Sequence, residues 1–276
     1  MSLSRARGQR RKPNMRVYAV SDLHTDFKDN REVLRRLSPT AHKRDVLLVA
    51  GDIADRIETI AETLSVLRAR FSQVFYMPGN HELWVRVGGG DSLEKLSKVV
   101  ALCDELGVQT GPGRAEGLWV VPLFSWYDAG FDVDGSADAA ELEGWADLHF
   151  CKWPEGVGRV SEFFLKLNAG RVRRYDGPVI SLSHFLPRRD LLPPTARLRF
   201  KGLPLVAGCA ALDEQIRRLG SAAHVFGHSH INCDRVIDGV RYVQNALKYP
   251  KDRKTRTLPL KLIWNTQEPP PERQAG

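Results

Sequence analysis

The chain of 276 residues is 42% hydrophobic and 27% charged, with 41 Lys and Arg residues against 33 Asp and Glu. Enough of it is apolar to bury a core, which excludes a wholly disordered chain. No stretch approaches the roughly 18 to 20 uninterrupted apolar residues that a membrane span needs, so we expect no membrane span. The four cysteines are scattered without a Cys-x-x-Cys pair, which argues against a disulfide framework and a zinc knuckle.

Most of the formal net charge of +8 lies in the first twelve residues, which contain five basic residues and no acidic one. We expect residues 1–14 to be a disordered basic tail; a nucleic-acid-binding arm and the end of a transit peptide are the alternatives. Nucleic acid is not favoured as a partner, because the rest of the chain has an ordinary charge balance. We expect an intracellular, cytoplasmic protein, or an organellar one if the basic segment is a targeting signal.

Short apolar runs of strand length alternate with segments of helical periodicity along the chain. In the first half the predicted elements are strands at 17–20, 46–50, 74–77 and 118–124, and helices at 30–37, 57–71 and 92–106. In the second half they are helices at 160–169 and 210–219, strands at 179–182, 224–226 and 260–264, and a hairpin at 236–243. Buried runs that alternate with helices predict an α/β fold with both sheet faces covered.

Two segments interrupt this alternation and are predicted to be insertions in one domain that spans residues 15–265. The segment 126–158 is irregular, acidic and rich in tryptophan, and 187–208 is rich in Pro and Arg. We expect the aromatic side chains of the first segment to fill a small core of its own, with stacking on a substrate as the alternative. The Pro-rich and polar residues 266–276 are expected to be a second disordered tail.

Potential metal ligands follow five of the predicted strands within about four residues of each strand end. In open α/β sheets, ligands bind outside the carboxyl ends of the strands, so we expect these side chains to lie close together. The seven candidate ligands are Asp22, His24, Asp52, Asn80, His184, His228 and His230. His81, which follows Asn80 directly, is the eighth candidate residue of the site. Any one of them alone has an ordinary explanation as a cap, a turn residue or a core histidine. Eight such residues at the ends of five strands make coincidence improbable.

The residue types indicate the chemistry. Mixed imidazole and carboxylate groups suit zinc, iron, manganese or nickel better than calcium or magnesium. Seven ligands are too many for one ion but suit two ions that share a bridging carboxylate, for which Asp52 is the natural candidate. Two ions about 3.5 to 4 Å apart hold a hydroxide at neutral pH and clamp the attacking and leaving oxygens of a displacement at phosphorus.

The order of these residues resembles the calcineurin-like metallophosphoesterase family over about residues 16–246. The motifs that carry the resemblance are Asp22-Leu23-His24, Gly51-Asp52, Gly79-Asn80-His81-Glu82, His184 and Gly227-His228-Ser229-His230. The resemblance implies a four-layer α/β/β/α sandwich, with two mixed β-sheets flanked by helices, and hydrolysis of phosphate esters with two metal ions. The wider layout, with Ser125-Trp126-Tyr127 and residues 183–188, also resembles uncharacterised members from plants and algae.

The resemblance also implies a role for each matching position. One ion would be held by Asp22, His24, Asp52 and His230, and the other by Asp52, Asn80, His184 and His228. These would be manganese, iron or zinc ions. His81 matches the family's catalytic histidine, which is not a ligand and protonates or hydrogen-bonds the leaving oxygen.

Two further residues, Asp55 and Arg56, match positions of the protein-phosphatase branch. Asp55 matches the acid that orients the catalytic histidine, and Arg56 would contact a phosphate oxygen through its planar guanidinium group, as Asn80 would through its amide. The chain departs from that branch at Ile57, where the branch has glycine, and this puts the role of Arg56 in doubt.

The predicted function is therefore a dinuclear, metal-dependent hydrolase of phosphate esters, with a bridging hydroxide that attacks phosphorus in line while His81 assists the leaving group. A phosphodiesterase is favoured over a phosphomonoesterase because the layout is compact and the glycine after Arg56 is absent. A phosphatase acting on phosphoproteins is one alternative. Another is a scaffold that has lost its metals, although a decayed site should have lost ligands and every one is present here.

Overall fold

Two mixed β-sheets form the centre of the computed structural model, which describes residues 14–86, 89–253 and 255–267. The two predicted disordered tails lie outside this part of the chain, apart from residues 14, 266 and 267. Within the described residues, no helix combines the length and the apolar character needed to cross a bilayer.

The first sheet has four strands in the order β10-β1-β2-β3. Its strands are β1 (Arg16–Val20), β2 (Val46–Ala50), β3 (Gln73–Met77) and β10 (Lys261–Asn265). The first three are parallel, and β10 pairs antiparallel with β1 at the edge of the sheet.

The second sheet has six strands in the order β4-β5-β6-β7-β9-β8. Its strands are β4 (Gly113–Ala115), β5 (Leu118–Pro122), β6 (Val179–Leu182), β7 (Ala223–Phe226), β8 (Cys233–Ile237) and β9 (Val240–Gln244). The four inner strands are parallel, whereas β4 and β8 run antiparallel at the two edges. The predicted hairpin is β8 and β9, and it turns at Asp238 and Gly239, both of which have positive φ angles.

Seven α-helices accompany the sheets within the described residues. They are α1 (Lys28–Arg35), α2 (Ile57–Arg68), α3 (Ser92–Glu105), α4 (Ala146–Phe150), α5 (Val160–Leu167), α6 (Leu203–Val206) and α7 (Ala211–Leu219). The longer helices occupy the segments in which the sequence predicts helical periodicity. The short helices α4 and α6 lie inside the two predicted insertions and have no such signal.

Strand β2 illustrates why the sequence forms this fold. Val46, Leu48 and Ala50 point into the layer between the two sheets, and Leu47 and Val49 point into the layer between the first sheet and its helices. All five residues are buried. A strand that is covered on both faces needs an unbroken apolar run rather than alternation, which is what the sequence has here.

The helices close the outer faces of both sheets. Ile60 and Leu64 of α2 pack in the cluster on the first sheet, while Leu212 and Ile216 of α7 pack with Tyr242 of β9 in the cluster on the second sheet. The succession of helices, sheet, sheet and helices confirms the predicted four-layer α/β/β/α architecture.

The aromatic side chains of the segment 126–158 extend the main core. Trp126 is 4% exposed, and its ring centroid lies 4.9 Å from that of Trp153 and 5.8 Å from that of Phe164 on α5. Phe185, which follows β6, packs edge-on against Trp126 at 5.0 Å. The predicted separate core is therefore continuous with residues of the surrounding domain.

Gly51 and Gly239 have similar positive φ angles but different surroundings. Alanine substitutions at the two positions therefore distinguish the cost of overpacking from the cost of backbone strain. Gly51, after β2, has φ +80°, and a Cβ atom there would lie 2.2 Å from His184 Nδ1. Gly239, in the hairpin turn, has φ +78° and no atom within 4 Å of such a Cβ. We expect Gly51→Ala to lower the free energy of unfolding by about 2 to 5 kcal/mol, since it adds overpacking to backbone strain.

Gly239→Ala carries the backbone strain alone and should cost about 1 to 2 kcal/mol. Urea unfolding of the two variants measures both values. Equal losses in the two variants would show that the close approach of Gly51 to His184 has no energetic weight.

Candidate metal centre

The predicted ligands follow the carboxyl ends of β1, β2, β3, β6 and β7, and the structure brings them together. Their ligand atoms form three overlapping groups, in each of which all atoms lie within 4.8 Å of one another. The groups are Asp22, His24 and His230; Asp52, His184 and His228; and His24, Asp52 and His81. Asp52 belongs to two of the groups, and this is the placement that a bridging carboxylate requires.

The backbone at these positions is strained. Five of the predicted ligands have left-handed conformations, with φ angles between 43° and 72°. They are Asp22, His24, Asp52, His228 and His230. Such conformations cost of order 1 kcal/mol or more each and persist where the surrounding structure requires them, typically at functional sites. Asp and His tolerate this region better than most residues, which fits their use here.

Two histidines each have one ring nitrogen committed to a backbone carbonyl. His184 Nδ1 lies 2.9 Å from the Ala50 oxygen, and His228 Nε2 lies 2.9 Å from the Val206 oxygen. Because a carbonyl oxygen only accepts hydrogen bonds, each of these nitrogens carries a ring hydrogen. The opposite nitrogens face Asn80 Oδ1, at 3.0 Å from His184 Nε2 and 3.1 Å from His228 Nδ1. The lone pairs of Asn80 Oδ1 and His228 Nδ1 therefore face each other, and His184 Nε2 is a third donor at the same point once its proton is displaced.

The Asn80 amide is held with its oxygen toward this point. Its Nδ2 atom donates to Asp147 Oδ1 at 2.8 Å, on the side away from the histidines. Burial lowers the pKa of His228 to about 3, so that residue supplies no proton at neutral pH. Lone pairs this close repel one another unless a positive charge lies between them. The donor set around Asn80, His184 and His228 therefore fits a metal cation.

A second set of donors surrounds Asp22. Its Oδ1 atom accepts the backbone N–H of His228 at 2.8 Å and lies 3.4 Å from His230 Nε2. His24 Nε2 lies 2.9 Å from the same His230 nitrogen. His24 Nδ1 is buried without a hydrogen-bond partner among the described residues. An imidazole that lacks a full set of hydrogen-bond partners in a buried site is another observation that fits a bound cation.

The charges of the buried side chains also favour a bound cation. Burial raises the pKa of Asp22 and Asp52, but the surrounding imidazoles outweigh burial and leave both pKa values below the ordinary value, so both carboxylates are ionised at neutral pH. Burial and the neighbouring His81 hold the pKa of His24 well below its usual value. For His184, burial lowers the pKa, but the Asp52 carboxylate outweighs burial and raises it to about 9. Two buried negative charges thus attract positive charge to the centre.

The residues therefore fit divalent cations. When bound, such ions would lower the pKa of a water molecule and neutralise charge on a phosphate oxygen. The first predicted ligand set is the group of Asp22, His24 and His230 with Asp52 added, and the second is the group of Asp52, His184 and His228 with Asn80 added. Asp52 meets His24 of the first set in the third group.

Glu82 fastens two of the ligand-bearing loops to each other. Its buried carboxylate accepts four backbone N–H groups, from Asp52 at 3.1 Å, Ile53 at 2.5 Å, Ala54 at 3.3 Å and Gly79 at 2.6 Å. Burial and the neighbouring Asp52 carboxylate raise the pKa of Glu82 to about 7, and the backbone donors oppose that rise. Glu82 lies beneath the site and is 0% exposed.

His81 lies against an aromatic wall at the edge of the centre. Its ring centroid is 3.7 Å from that of Trp84, and its Nε2 atom is 3.7 Å from Asp52 Oδ2 and 3.4 Å from the Tyr249 hydroxyl. Its backbone N–H donates to Asp52 Oδ1 at 3.1 Å. Burial lowers the pKa of His81, so its ring is neutral at neutral pH.

A pocket of about 530 Å³ opens beside His81. Its walls include the rings of Phe27, Trp84 and Tyr249, and its remaining lining residues are Asp26, Asp55, Arg86, Pro250 and Lys251. The Asp55 carboxylate is paired with Arg86 Nε, and Asp26 accepts the backbone N–H of Asp55 at 3.3 Å. The predicted orienter of His81 is thus beside the histidine, with Arg86 as its ion-pair partner.

Arg56 lies elsewhere. Its side chain is 74% exposed, 3.7 Å from Glu58, and it lines a neighbouring cavity of about 600 Å³. That cavity shares Asp55, Trp84 and Arg86 with the pocket beside His81. Arg86, and not Arg56, therefore lines the pocket beside His81.

A family model described as calcineurin-like phosphoesterase matches residues 15–232. This chain belongs to the calcineurin-like phosphoesterase family. The resemblance seen in the strand-end motifs is confirmed, and the protein is a metallophosphoesterase, a hydrolase of phosphate esters. Members of the family typically bind two metal ions, in agreement with the clustered His and Asp side chains.

Comparisons by sequence and by structure both find a relative named PptH, and both matches extend over most of this phosphoesterase. The chain is 30% identical over 265 residues to the acyl-carrier-protein phosphodiesterase PptH of Mycobacterium tuberculosis, a match that covers 87% of this chain and 80% of that protein. It is also similar to the crystal structure of phosphopantetheinyl hydrolase (PptH) from Mycobacterium tuberculosis, with a TM-score of 0.75, 28% sequence identity and coverage of 95% and 98% of the two chains. These relatives are mycobacterial, and the narrower likeness to plant and algal members finds no support in them.

Residues without a motif complete the phosphoesterase site. Asp147 lies in the segment 126–158, and Tyr249 lies beyond β9, stacked on His24 with a centroid distance of 4.2 Å. Neither has a periodic or motif-like signal, because each reaches the site through loop geometry. The one signal for Asp147 in its own segment is the tryptophan two residues before it, in Trp145-Ala146-Asp147.

The arrangement around Glu82 predicts the effect of removing its charge. Glu82→Gln places an amide N–H₂ group against backbone N–H donors and leaves at least one of them unpaired. We expect a loss of about 2 to 3 kcal/mol in the free energy of unfolding. Glu58→Gln is the matched control, because Glu58 is 74% exposed and should change the free energy by less than about 0.5 kcal/mol. Urea unfolding of the two variants is the measurement, and equal small changes would contradict the fastening role.

Proposed function

We propose that this phosphoesterase hydrolyses the phosphodiester that joins phosphopantetheine to a serine of an acyl carrier protein. The observation that carries the proposal is the likeness to PptH, which extends over 80% of that protein's length at 30% identity. A match that covers 87% of this chain extends well beyond the few residues that carry the strand-end motifs. The proposal agrees with the prediction from sequence that a diester is preferred to a monoester.

The reaction breaks the bond between phosphorus and the serine oxygen, and water supplies the new phosphorus–oxygen bond. The products are a carrier protein with a free serine hydroxyl and phosphopantetheine with a terminal phosphate. Asp22, His24, Asp52 and His230 would hold one ion, and Asp52, Asn80, His184 and His228 the other. Manganese, iron and zinc all suit these donors.

His81 is the proposed donor to the leaving serine oxygen. The Asp52 carboxylate, 3.7 Å from His81 Nε2, favours the tautomer with its hydrogen on that nitrogen. The stacking of Trp84 on His81 fixes the plane of the ring. Asp55 contributes by holding Arg86 at the wall of the same pocket, rather than by orienting the histidine itself.

The pocket beside His81 suits the uncharged arm of the ester. Its volume of about 530 Å³ lies within the usual range of roughly 300 to 1,000 Å³ for small-molecule sites. Phe27 is 47% exposed there and lies 5.6 Å from Tyr249, so part of the aromatic wall is available for contact. Phosphopantetheine carries a branched aliphatic group and amides next to its phosphate, and aromatic walls with a few polar groups accommodate such a chain.

The function is tested with a phosphopantetheinylated carrier protein, two equivalents of Mn²⁺ and mass spectrometry of the carrier. We expect loss of the phosphopantetheine mass with the serine left unmodified. His81→Asn should slow this reaction by about 10²- to 10⁴-fold, the usual contribution of a side chain positioned on the leaving group, while metal content stays near that of the parent protein. His149→Asn is the control, since His149 is exposed and bonded to the Glu143 carbonyl.

Two outcomes would overturn the proposal or the role of His81. If the carrier kept its phosphopantetheine while bis(p-nitrophenyl) phosphate was hydrolysed rapidly, the proposed substrate would be wrong. The protein would then be a phosphodiesterase with a different substrate. Loss of metal from His81→Asn would make His81 a ligand, as the group that it forms with His24 and Asp52 allows.

A second prediction concerns the pocket. Phe27→Ala should raise KM for the carrier substrate by about 5- to 30-fold, equivalent to the 1 to 2 kcal/mol of a partly buried aromatic contact, with kcat little changed. Val133→Ala is the matched control, because Val133 is 73% exposed and does not line this pocket. Steady-state kinetics with both variants decide the matter. An unchanged KM in Phe27→Ala would place the arm elsewhere.

A further inference from the structure

Asp147 is a buried carboxylate whose partners are all uncharged. It lies on α4, inside the segment 126–158, and is 2% exposed. Its Oδ1 atom accepts Asn80 Nδ2 at 2.8 Å and Trp84 Nε1 at 2.6 Å, and its Oδ2 atom accepts Trp145 Nε1 at 3.0 Å. None of the ion pairs found among the described residues includes it. A buried charge held by three neutral N–H groups is costly, and it needs an explanation beyond stability.

Each of the three donors touches a different part of the metal centre. Asn80 turns its oxygen toward two histidines, as described above. The Trp84 ring lies on the His81 ring. The Trp145 ring meets the His228 ring edge-on, with centroids 5.9 Å apart. One carboxylate thus fixes an amide and two indoles that together contact three residues of the site.

The orientation of the Asn80 amide is the step with chemical consequences. An amide turned by 180° would present its N–H₂ group to the lone pairs of His184 and His228 and could not bind a cation. An ionised carboxylate accepts hydrogen bonds and cannot donate them, so Asp147 requires the nitrogen of Asn80 on its own side. Asn80 Oδ1 is then left facing the site in every molecule.

We infer that Asp147 is a positioning residue that sets the Asn80 amide for metal binding and thereby couples the segment 126–158 to the metal centre. The segment is itself anchored to the other insertion, because Trp145 stacks on Phe200 with centroids 5.5 Å apart and planes 7° apart. The inference depends on the metal centre alone. It would stand if the substrate were not a carrier protein.

The test is the affinity of the metal-free protein for Mn²⁺, measured by isothermal titration calorimetry. Asp147→Asn keeps the shape of the side chain, but an amide both donates and accepts hydrogen bonds, so it no longer dictates which atom of the Asn80 amide faces the site. We expect the dissociation constant of the weaker-held ion to rise about 10- to 100-fold, as is usual when the partner of a ligand is removed. An unchanged dissociation constant in folded Asp147→Asn would overturn the inference.

Asp176→Asn is the matched control. Asp176 also accepts a tryptophan N–H, from Trp119 Nε1 at 2.8 Å, but it is 73% exposed and precedes β6, whereas His184 follows the other end of that strand. Its removal should leave the affinity for Mn²⁺ unchanged. A similar loss in both variants would show that the effect is not specific to Asp147.

Trp145→Phe separates amide positioning from a general loosening of the segment. This variant removes one N–H donor but leaves Asp147 bonded to Asn80. We expect the dissociation constant for Mn²⁺ to change by less than about threefold, even if the melting temperature falls. A loss as large as that of Asp147→Asn would overturn the inference, because the fold of the segment and not the Asn80 amide would then govern metal binding.

A double-mutant comparison completes the test. In an Asn80→Ala background, Asp147→Asn should weaken Mn²⁺ binding little further, since the group through which it acts is gone. Additive losses in the double variant would mean that Asp147 acts by another route. Melting temperatures of all variants confirm that each is folded under the conditions of the titration.

Discussion

The structure depends on one arrangement, in which buried imidazole nitrogens, carboxylate oxygens and an amide oxygen converge on one centre. His184 Nε2 and His228 Nδ1 both lie within 3.1 Å of Asn80 Oδ1, and their other nitrogens are committed to backbone carbonyls. Positive charge at this centre, from the proton of His184 or from a metal ion, offsets the repulsion between the donors. Bringing these atoms together requires strained, left-handed backbone at five ligand positions and a glycine at residue 51.

What holds the arrangement in place is a set of hydrogen bonds behind the ligands. Glu82 accepts backbone N–H groups from the loops after β2 and β3 and so connects two ligand-bearing loops. Asp147 does the same for the Asn80 amide and two indoles. Both carboxylates are buried, and neither forms an ion pair within the described part of the chain. Bound metal ions would supply the positive charge that offsets them.

The sequence predicts much of this, for identifiable reasons. Strands such as β2 are unbroken apolar runs, and each ligand follows a strand end, so fold and ligands can both be found from local patterns. Arg56 and Arg86 mark where that reasoning ends: a motif points to the first, yet the second lines the pocket of His81 because the chain after β3 folds back over Asp55. Asp147 and Tyr249 reach the site from loops whose paths no periodicity encodes.

The central proposal is that two metal ions would share the Asp52 carboxylate. Its most direct test is to titrate the metal-free protein with Mn²⁺, to count bound ions per chain by elemental analysis, and to record the electron paramagnetic resonance spectrum. The account predicts two ions per chain and the spectrum of a magnetically coupled pair, because one carboxylate bridges both ions. One ion per chain, or two ions with the spectra of isolated Mn²⁺, would contradict it.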